Sequence, residues 1–366
     1  MQRVILHLFI FYVLFDERRI FVGMNDLTKK SLYDICVNHK DVLLVDLMNN
    51  LHRFNWAYRD LNVVIDNEVV PTGYLYGFLN FLISLKSKFP HCAIVLALDG
   101  RDEERVKINP EYKANRVHEV NLYESVQEIV CFCSMIKDVF TVYSPKYEAD
   151  DAIYSVALTL HDLCKKKEIR KSIYILSNDK DFFQVIRDDE YAPIQEIRKF
   201  GSGKSWREKS DIVTEAVVRE TFNGVGPHDI VKFRSIVGDS SDNLKGYFRF
   251  LKANAAIIAL NFDYDEDTQE LKLKDGVSAD SKWDKFLKVV QGDMSVFVKN
   301  YAIMHMKQFD FEIEPASYTL SEEYVRPIVL RAMLYELKSY LREISKAANC
   351  RHSRQVLQLL EEFQFC

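Results

Sequence analysis

The 366-residue sequence predicts an α/β protein, with a central, mostly parallel sheet carrying helices on both faces and a C-terminal helical subdomain. Short apolar runs alternate with helical patterns through the front half, and after about residue 210 the strand pattern fades while helical segments take over. With 48% hydrophobic residues and only 12 Gly and 8 Pro, there is ample material for a packed interior and little for flexible linkers, which excludes a disordered or collagen-like chain.

Three runs read as buried strands, namely Val42-Leu43-Leu44-Val45, Ala93 to Leu98 and Ile173-Tyr174-Ile175-Leu176. Between the first two, Tyr74, Gly77, Phe78, Phe81, Leu82 and Leu85 recur at helical spacing. Ala149 to Leu163 repeats the pattern, so each segment predicts a helix with one buried face. Further on, Glu215 to Phe222, Asp229 to Val237, Phe248 to Leu260, Lys285 to Met306 and Arg326 to Ile344 read as helices, and Asp263 to Glu270 as a surface loop. The length exceeds what one core usually supports. The expected division is an N-terminal extension over 1–23, an α/β domain over 24–210 and a helical subdomain over 211–366.

Residues Val4 to Phe15 are apolar except for His7 and resemble the core of a signal peptide. The run is too short to span a bilayer, no small-residue cleavage site follows, and Met24 is the preferred natural start; an extra strand or helix on the domain edge is the alternative. The seven cysteines form no Cys-x-x-Cys pair and read as reduced thiols, which favours a cytoplasmic location without membrane attachment. The net charge of -5 carries no global nucleic-acid signature, but acids committed to divalent cations would leave the remaining surface near neutral.

Each core strand leads into an aspartate: Asp46 after the first, Asp99 after the second and Asp179 shortly beyond the third. In an open parallel sheet the carboxyl ends of the strands line one crevice, so the three would converge. A single Asp after a strand is usually a turn former or a helix N-cap. More acids follow: Glu148, Asp150 and Asp151 open a helix, Asp181 lies two residues past Asp179, and Asp239 and Asp242 sit beside Gly238. Clustered carboxylates repel, and bound divalent cations remove that cost. An all-oxygen set without His or Cys suits Mg2+, with Mn2+ as a substitute, and two such ions can serve an in-line phosphoryl displacement.

The segments Leu43 to Asp46, Leu98-Asp99, Pro110 to Arg116, Lys146 to Asp151, Ser177 to Phe182 and Val237 to Asn243, in that order, resemble the 5′-nuclease (flap endonuclease) family. The likeness is strongest to phage replication nucleases of the T-even ribonuclease H type. It covers Met24 to about Phe262. It implies a first metal among Asp46, Asp99, Glu148 and Asp150, and a second among Asp179, Asp181 and Asp239, with Asp150 or Asp151 near both. Asp242 matches an acid that binds metal directly or through water, and a helix N-cap is its bland alternative. The resemblance also implies that Lys113 and Arg116, on one face if helical, hold the scissile phosphate while Tyr112 stacks on an unpaired base.

Duplex contacts are expected from Arg234, Lys245, Arg249 and Lys252. The family's glycine turn is replaced by Gly246-Tyr247-Phe248-Arg249, a departure at the place where relatives hold K+ and grip the downstream duplex. Many relatives also have Gly where this chain has Leu47. Gly201 to Ser205 looks like the end of a P-loop, but Arg198 stands where its first glycine belongs. The implied activity is metal-dependent 5′→3′ exonuclease and flap cleavage, with ribonuclease H action on primers in phage DNA replication. The expected chain is a monomer in the host cytoplasm, acting on DNA and RNA–DNA hybrids and partnered by a single-strand-binding protein or sliding clamp. A PIN-type endoribonuclease and a non-catalytic DNA-binding replication protein are the rival readings.

Overall fold

The computed structural model describes residues 29–65, 68–71, 73–113, 126, 129–130, 133, 138–199, 211–247, 252–278 and 280–310. The N-terminal extension, Arg116, Gly201 to Ser205, Arg249 and the helix expected over Arg326 to Ile344 lie outside them.

After helix α1 (Lys29–Asn38), the all-apolar run at Val42 becomes β1 (Asp41–Asp46), with its four central residues buried. α2 (Leu47–Ala57), the hairpin β2 (Asn62–Ile65) and β3 (Glu68–Pro71), and α3 (Gly73–Lys88) lead to β4 (Cys92–Leu98), which is buried along its whole length. α4 (Glu103–Ile108), β5 (Val139–Tyr143), α5 (Ala149–Lys167), β6 (Ser172–Leu176), a short 3-10 turn (Lys180–Gln184), β7 (Ile194–Arg198) and β8 (Asp211–Val213) complete the first half.

The six strands form one sheet in the order β5-β4-β1-β6-β7-β8, parallel except for β8. Because β8 lies past residue 210, the sheet extends beyond the expected boundary. Alternate residues of a strand face opposite ways. Leu43 and Val45 therefore meet α2 and α3 on one face, while Val42 and Leu44 meet α1 and α5 on the other. Helices on both faces explain why β1 and β4 read as unbroken apolar runs.

The second half packs α6 (Glu215–Thr221), α7 (Ile230–Val237), α8 (Lys252–Asn261), α9 (Ser281–Gln291) and α10 (Met294–Met304) around Phe233, Ile236, Ile258 and Phe297. The single helix expected over Lys285 to Met306 is two, because the chain turns at Gly292 and Asp293 caps α10 by accepting from the Ser295 N–H. The loop expected over Asp263 to Glu270 is the tip of a hairpin, β11 (Phe262–Asp265) and β12 (Glu270–Leu273). A smaller hairpin, β9 (Gly238–Asp239) and β10 (Leu244–Lys245), follows α7. Here glycine is required twice: Gly238 has φ 81°, and a Cβ on Gly246 would meet the Val237 carbonyl oxygen at 2.0 Å.

Among the described residues Cys36, Cys92, Cys133 and Cys164 are buried and outside any disulfide, with the Cys36 and Cys164 sulfurs in a 3.0 Å hydrogen bond. Among the described residues, no helix is long and apolar enough to cross a membrane.

Candidate metal centre

From β1 the chain proceeds to β4 and β5 on one side and only later to β6 and β7 on the other. The carboxyl ends of β1 and β6 therefore flank the point where the winding direction changes, and a crevice opens there. Asp46 ends β1, Asp99 follows β4, Asp179 follows β6, and Asp150 lies in the first turn of α5. Gly100 lets the Asp99 loop close against the exit of β5, since a Cβ there would meet the Ser144 carbonyl oxygen at 2.0 Å.

These four aspartates feel one another. Burial first, then Asp99 and Asp179, push the Asp46 carboxyl up to about 7, against the Asn49 N–H and Lys113. Burial, then Asp46 and Asp179, raise Asp150 well above the usual carboxylate range. Three of the four also cap or brace backbone. Asp46 accepts from the Asn49 N–H at 2.9 Å, Asp179 from the Asp181 N–H at 3.0 Å and Asp99 from the Ala149 N–H at 2.8 Å. The N-cap role and the cluster are compatible, because one oxygen fixes the side chain and the carboxylates still share a crevice.

Among the described residues, ligand atoms all within 4.8 Å of one another occur at His228, Asp229 and Asp263, not among these four aspartates. Asp229, however, is already paired with Lys232 at 2.8 Å and Lys274 at 3.0 Å, so that grouping is neutralised. The wider aspartate nest, in which burial and then the neighbouring carboxylates raise Asp46 and Asp150, fits a hard cation that retains part of its water shell.

Glu148 stands at the rim and binds basic and phenolic groups. It accepts from Lys113 Nζ at 2.8 Å, Arg105 Nη1 at 2.9 Å and the Tyr112 hydroxyl at 3.0 Å, and Lys113 and Arg105 hold its carboxyl below the usual range despite its burial. Lys113 also draws the Asp46 and Asp150 carboxyls down, so its ammonium lies within electrostatic reach of the cluster. Its φ of 53° and the turn at 111–113 place Lys113 itself outside a helix, so the condition under which Lys113 and Arg116 would share a helical face is not met at Lys113.

Two expectations are corrected. Asp151, expected near the metals, is 0% exposed and gripped by Arg105 at 2.6 and 2.7 Å, with the Lys307 N–H at 2.9 Å. Successive residues of a helix point about 100° apart, so Asp150 faces the crevice while Asp151 faces α4. Arg234, expected on nucleic acid, is 8% exposed and lies between Asp181 and Asp239, donating to Asp239 at 2.5 Å and pairing with Asp181. Ser241 and Arg234 keep the Asp239 carboxyl below its usual range, against burial. Asp242 lies half-buried in the β9–β10 turn and opens no helix, so the N-cap alternative does not apply. Lys245 and Lys252 are exposed. In the altered turn, the Tyr247 hydroxyl donates to the Asp293 carbonyl at 2.6 Å and accepts from the Phe297 N–H at 3.2 Å, fastening it to α10.

Three residues had no signal in the sequence. Arg105, 3% exposed, joins Glu148 and Asp151 to the carbonyl of Ile303. Arg53 lines a small cavity beside the crevice with Asn49, Asn50, Phe81, Ser177 and Asn178. Glu196 on β7 is 0% exposed, and burial pushes its carboxyl up to about 8. A lone charge on a strand or helix reads as solvated until its neighbours are known.

Solved structures to which the chain is similar include the T5 D15 protein co-crystallised with metal ions (15% identical, 72% of this chain and 89% of that one, TM-score 0.46). Another is the catalytic core of Rad2 with DNA substrate (14% identical, 83% and 89%, TM-score 0.43). Curated relatives include the 5′-3′ exonuclease of Buchnera aphidicola subsp. Schizaphis graminum, 28% identical over 210 residues, 57% of this chain and 65% of that protein. The 5′-3′ exonuclease of Bacillus subtilis is 29% identical over 219 residues, 57% and 66%. DNA polymerase I of Synechocystis sp. is 27% identical over 183 residues, 48% of this chain but 17% of the polymerase. The matched stretch thus spans somewhat under two thirds of the exonucleases. Residues 41–223, from the first strand of the sheet to the end of α6, match the family model described as 5′-3′ exonuclease, N-terminal resolvase-like domain, and the chain belongs to that family.

Proposed function

We propose that this chain is a divalent-metal-dependent 5′→3′ exonuclease and flap endonuclease that hydrolyses phosphodiester bonds near 5′ ends. The observation that carries this reading is the convergence of Asp46, Asp99, Asp150 and Asp179 at the sheet's switch point, with the Asp46 and Asp150 carboxyls raised by burial and then by the neighbouring carboxylates. Asp46, Asp99, Asp150 and Asp179 would hold Mg2+ or Mn2+, with Asp181, Asp239 and Asp242 beside a second ion. Two bound ions supply charge neutralisation for the attacking and leaving oxygens of an in-line displacement.

The protein's own groups orient the strand. Lys113 Nζ, held by Glu148 and within electrostatic reach of the cluster, would fix the scissile phosphate, and Tyr112 beside it offers a ring for an unpaired base. Exposed Lys245 and Lys252 would meet duplex phosphates as solvated charges. Ribonuclease H action on primers in phage replication, with a single-strand-binding protein or clamp as partner, follows only from the resemblance carried by the six sequence motifs, and a cytoplasmic location from the reduced-thiol pattern of the cysteines.

The test is cleavage of labelled 5′-flap, RNA–DNA hybrid and hairpin substrates with Mg2+ or a chelator, in the parent, Asp150→Asn and Asp151→Asn. Metal-dependent 5′ cleavage that Asp150→Asn abolishes by at least about 100-fold, from a protein that still folds, is the expected result. Full activity in Asp150→Asn would overturn the assignment.

A further inference from the structure

The second half of the acid constellation already contains a cation. Asp181, just past β6, and Asp239, at the start of the β9–β10 hairpin, come from opposite halves of the chain. Arg234 on α7 spans them, one guanidinium nitrogen paired with Asp181 Oδ1 and the other donating to Asp239 Oδ2 at 2.5 Å. The side chain of Arg234 is 10% exposed, against 18% for Asp181 and 22% for Asp239, so the contact is sheltered from water. Arg234 sets a positive charge opposite both carboxylates, hydrogen-bonded to Asp239 and ion-paired with Asp181, whose buried Oδ1 makes no hydrogen bond, in contrast to the group around Asp46, where like charges face one another.

A guanidinium is planar, permanently charged and matched to two carboxylates at once, which makes it a strong competitor for oxygen ligands. A divalent ion that reached Asp181 and Asp239 would have to share or displace it. We propose that Arg234 is a positioning residue that joins the two halves at the second metal site and competes with the second ion, so that this chain binds one divalent cation tightly and a second one weakly. This rests on the metal-dependent reading above. It adds that the second ion arrives only as Arg234 gives up its carboxylates.

The experiment is Mn2+ binding to the full chain without nucleic acid, followed by electron paramagnetic resonance of free Mn2+, with circular dichroism as the folding control. The parent should show one tight and one weak site. In Arg234→Gln, with a unit charge removed a few ångströms from the ion, the weak site should tighten by about tenfold or more while the tight site is unchanged. Arg234→Lys, a point charge that cannot span both carboxylates, should fall between them, and it carries the test if the glutamine variant does not fold. Asp181→Asn combined with Arg234→Gln should lose the gain. An unchanged or weakened second site in both single variants, or two equal sites in the parent, would overturn the proposal. Absence of any Mn2+ binding to the parent would overturn the metal-dependent reading itself.

Discussion

Glu196 is fully buried on β7, yet neither of its carboxylate oxygens has a hydrogen-bond partner. Arg198 Nε is 3.9 Å away, too far for a hydrogen bond, because the guanidinium donates to the Asn178 carbonyl and lies 5.3 Å from the Phe183 ring centroid. Burial raises the carboxyl from 4.5 to about 8, so the unfolded chain releases this proton near pH 4.5 while the folded chain keeps it to about 8. Stability from this group is complete below pH 4.5 and is lost as pH rises through 8, at up to about 1.4 kcal/mol per pH unit. Glu196→Gln removes the titration. The variant should therefore melt above the parent at pH 9 and lose less stability between pH 5 and 9. Parallel melting curves for the two proteins across that range would refute the account.

At the scale of elements, the ion-pair hub between α4 and α5 bears most directly on the site. Arg105 serves Asp151 through two nitrogens and Glu148 through one, and Asp151 completes a capping box with the Glu148 N–H at 3.3 Å. Removing the arginine leaves an uncompensated buried carboxylate, which typically costs about 3–5 kcal/mol. Arg105→Met should lower the urea midpoint by a corresponding amount, and Asp151→Asn should also destabilise while retaining metal binding. The split between neighbouring acids is informative: Asp150 loss would affect the cation, Asp151 loss the fold. Equal metal affinity but unaltered stability in Asp151→Asn would contradict the assignment of Asp151 as structural.

Across the whole molecule, the chain leaving α10 returns to the sheet. The Ile303 carbonyl accepts from Arg105 at 3.0 Å, the Met306 N–H donates to Gln184 at 3.0 Å, and the Phe309 N–H donates to Ser155 Oγ at 3.0 Å. Phe309 is 4% exposed in the core beneath α5, with its ring centroid 5.2 Å from that of Tyr147. Together with Arg234 at the crevice, this strap ties the helical half to the sheet half in one framework. Phe309→Ala removes an aromatic ring from a closed core and should cost about 3–5 kcal/mol in chemical denaturation. A loss below about 1 kcal/mol would show that the strap adds little.

The sequence by itself determined the parallel sheet, both flanking helix layers and the family, because buried strands such as β4 and the one-sided helix α5 are written in local apolar patterns. It also predicted that Asp46, Asp99 and Asp179 gather at the strand ends with Asp150 opening the neighbouring helix, since each follows or opens an element whose end is locally legible. Tertiary structure decided what the other acids do. Asp151 differs from Asp150 only in the direction it faces, and that matters because Arg105 is buried beneath α5. Asp181 and Asp239 became an arginine clamp because α7 brings Arg234 to the crevice, and the hinge at Gly292 returned residues 303–309 to the sheet. Charge pairing over long sequence separations depends on which faces pack together, and local periodicity carries no record of the partner.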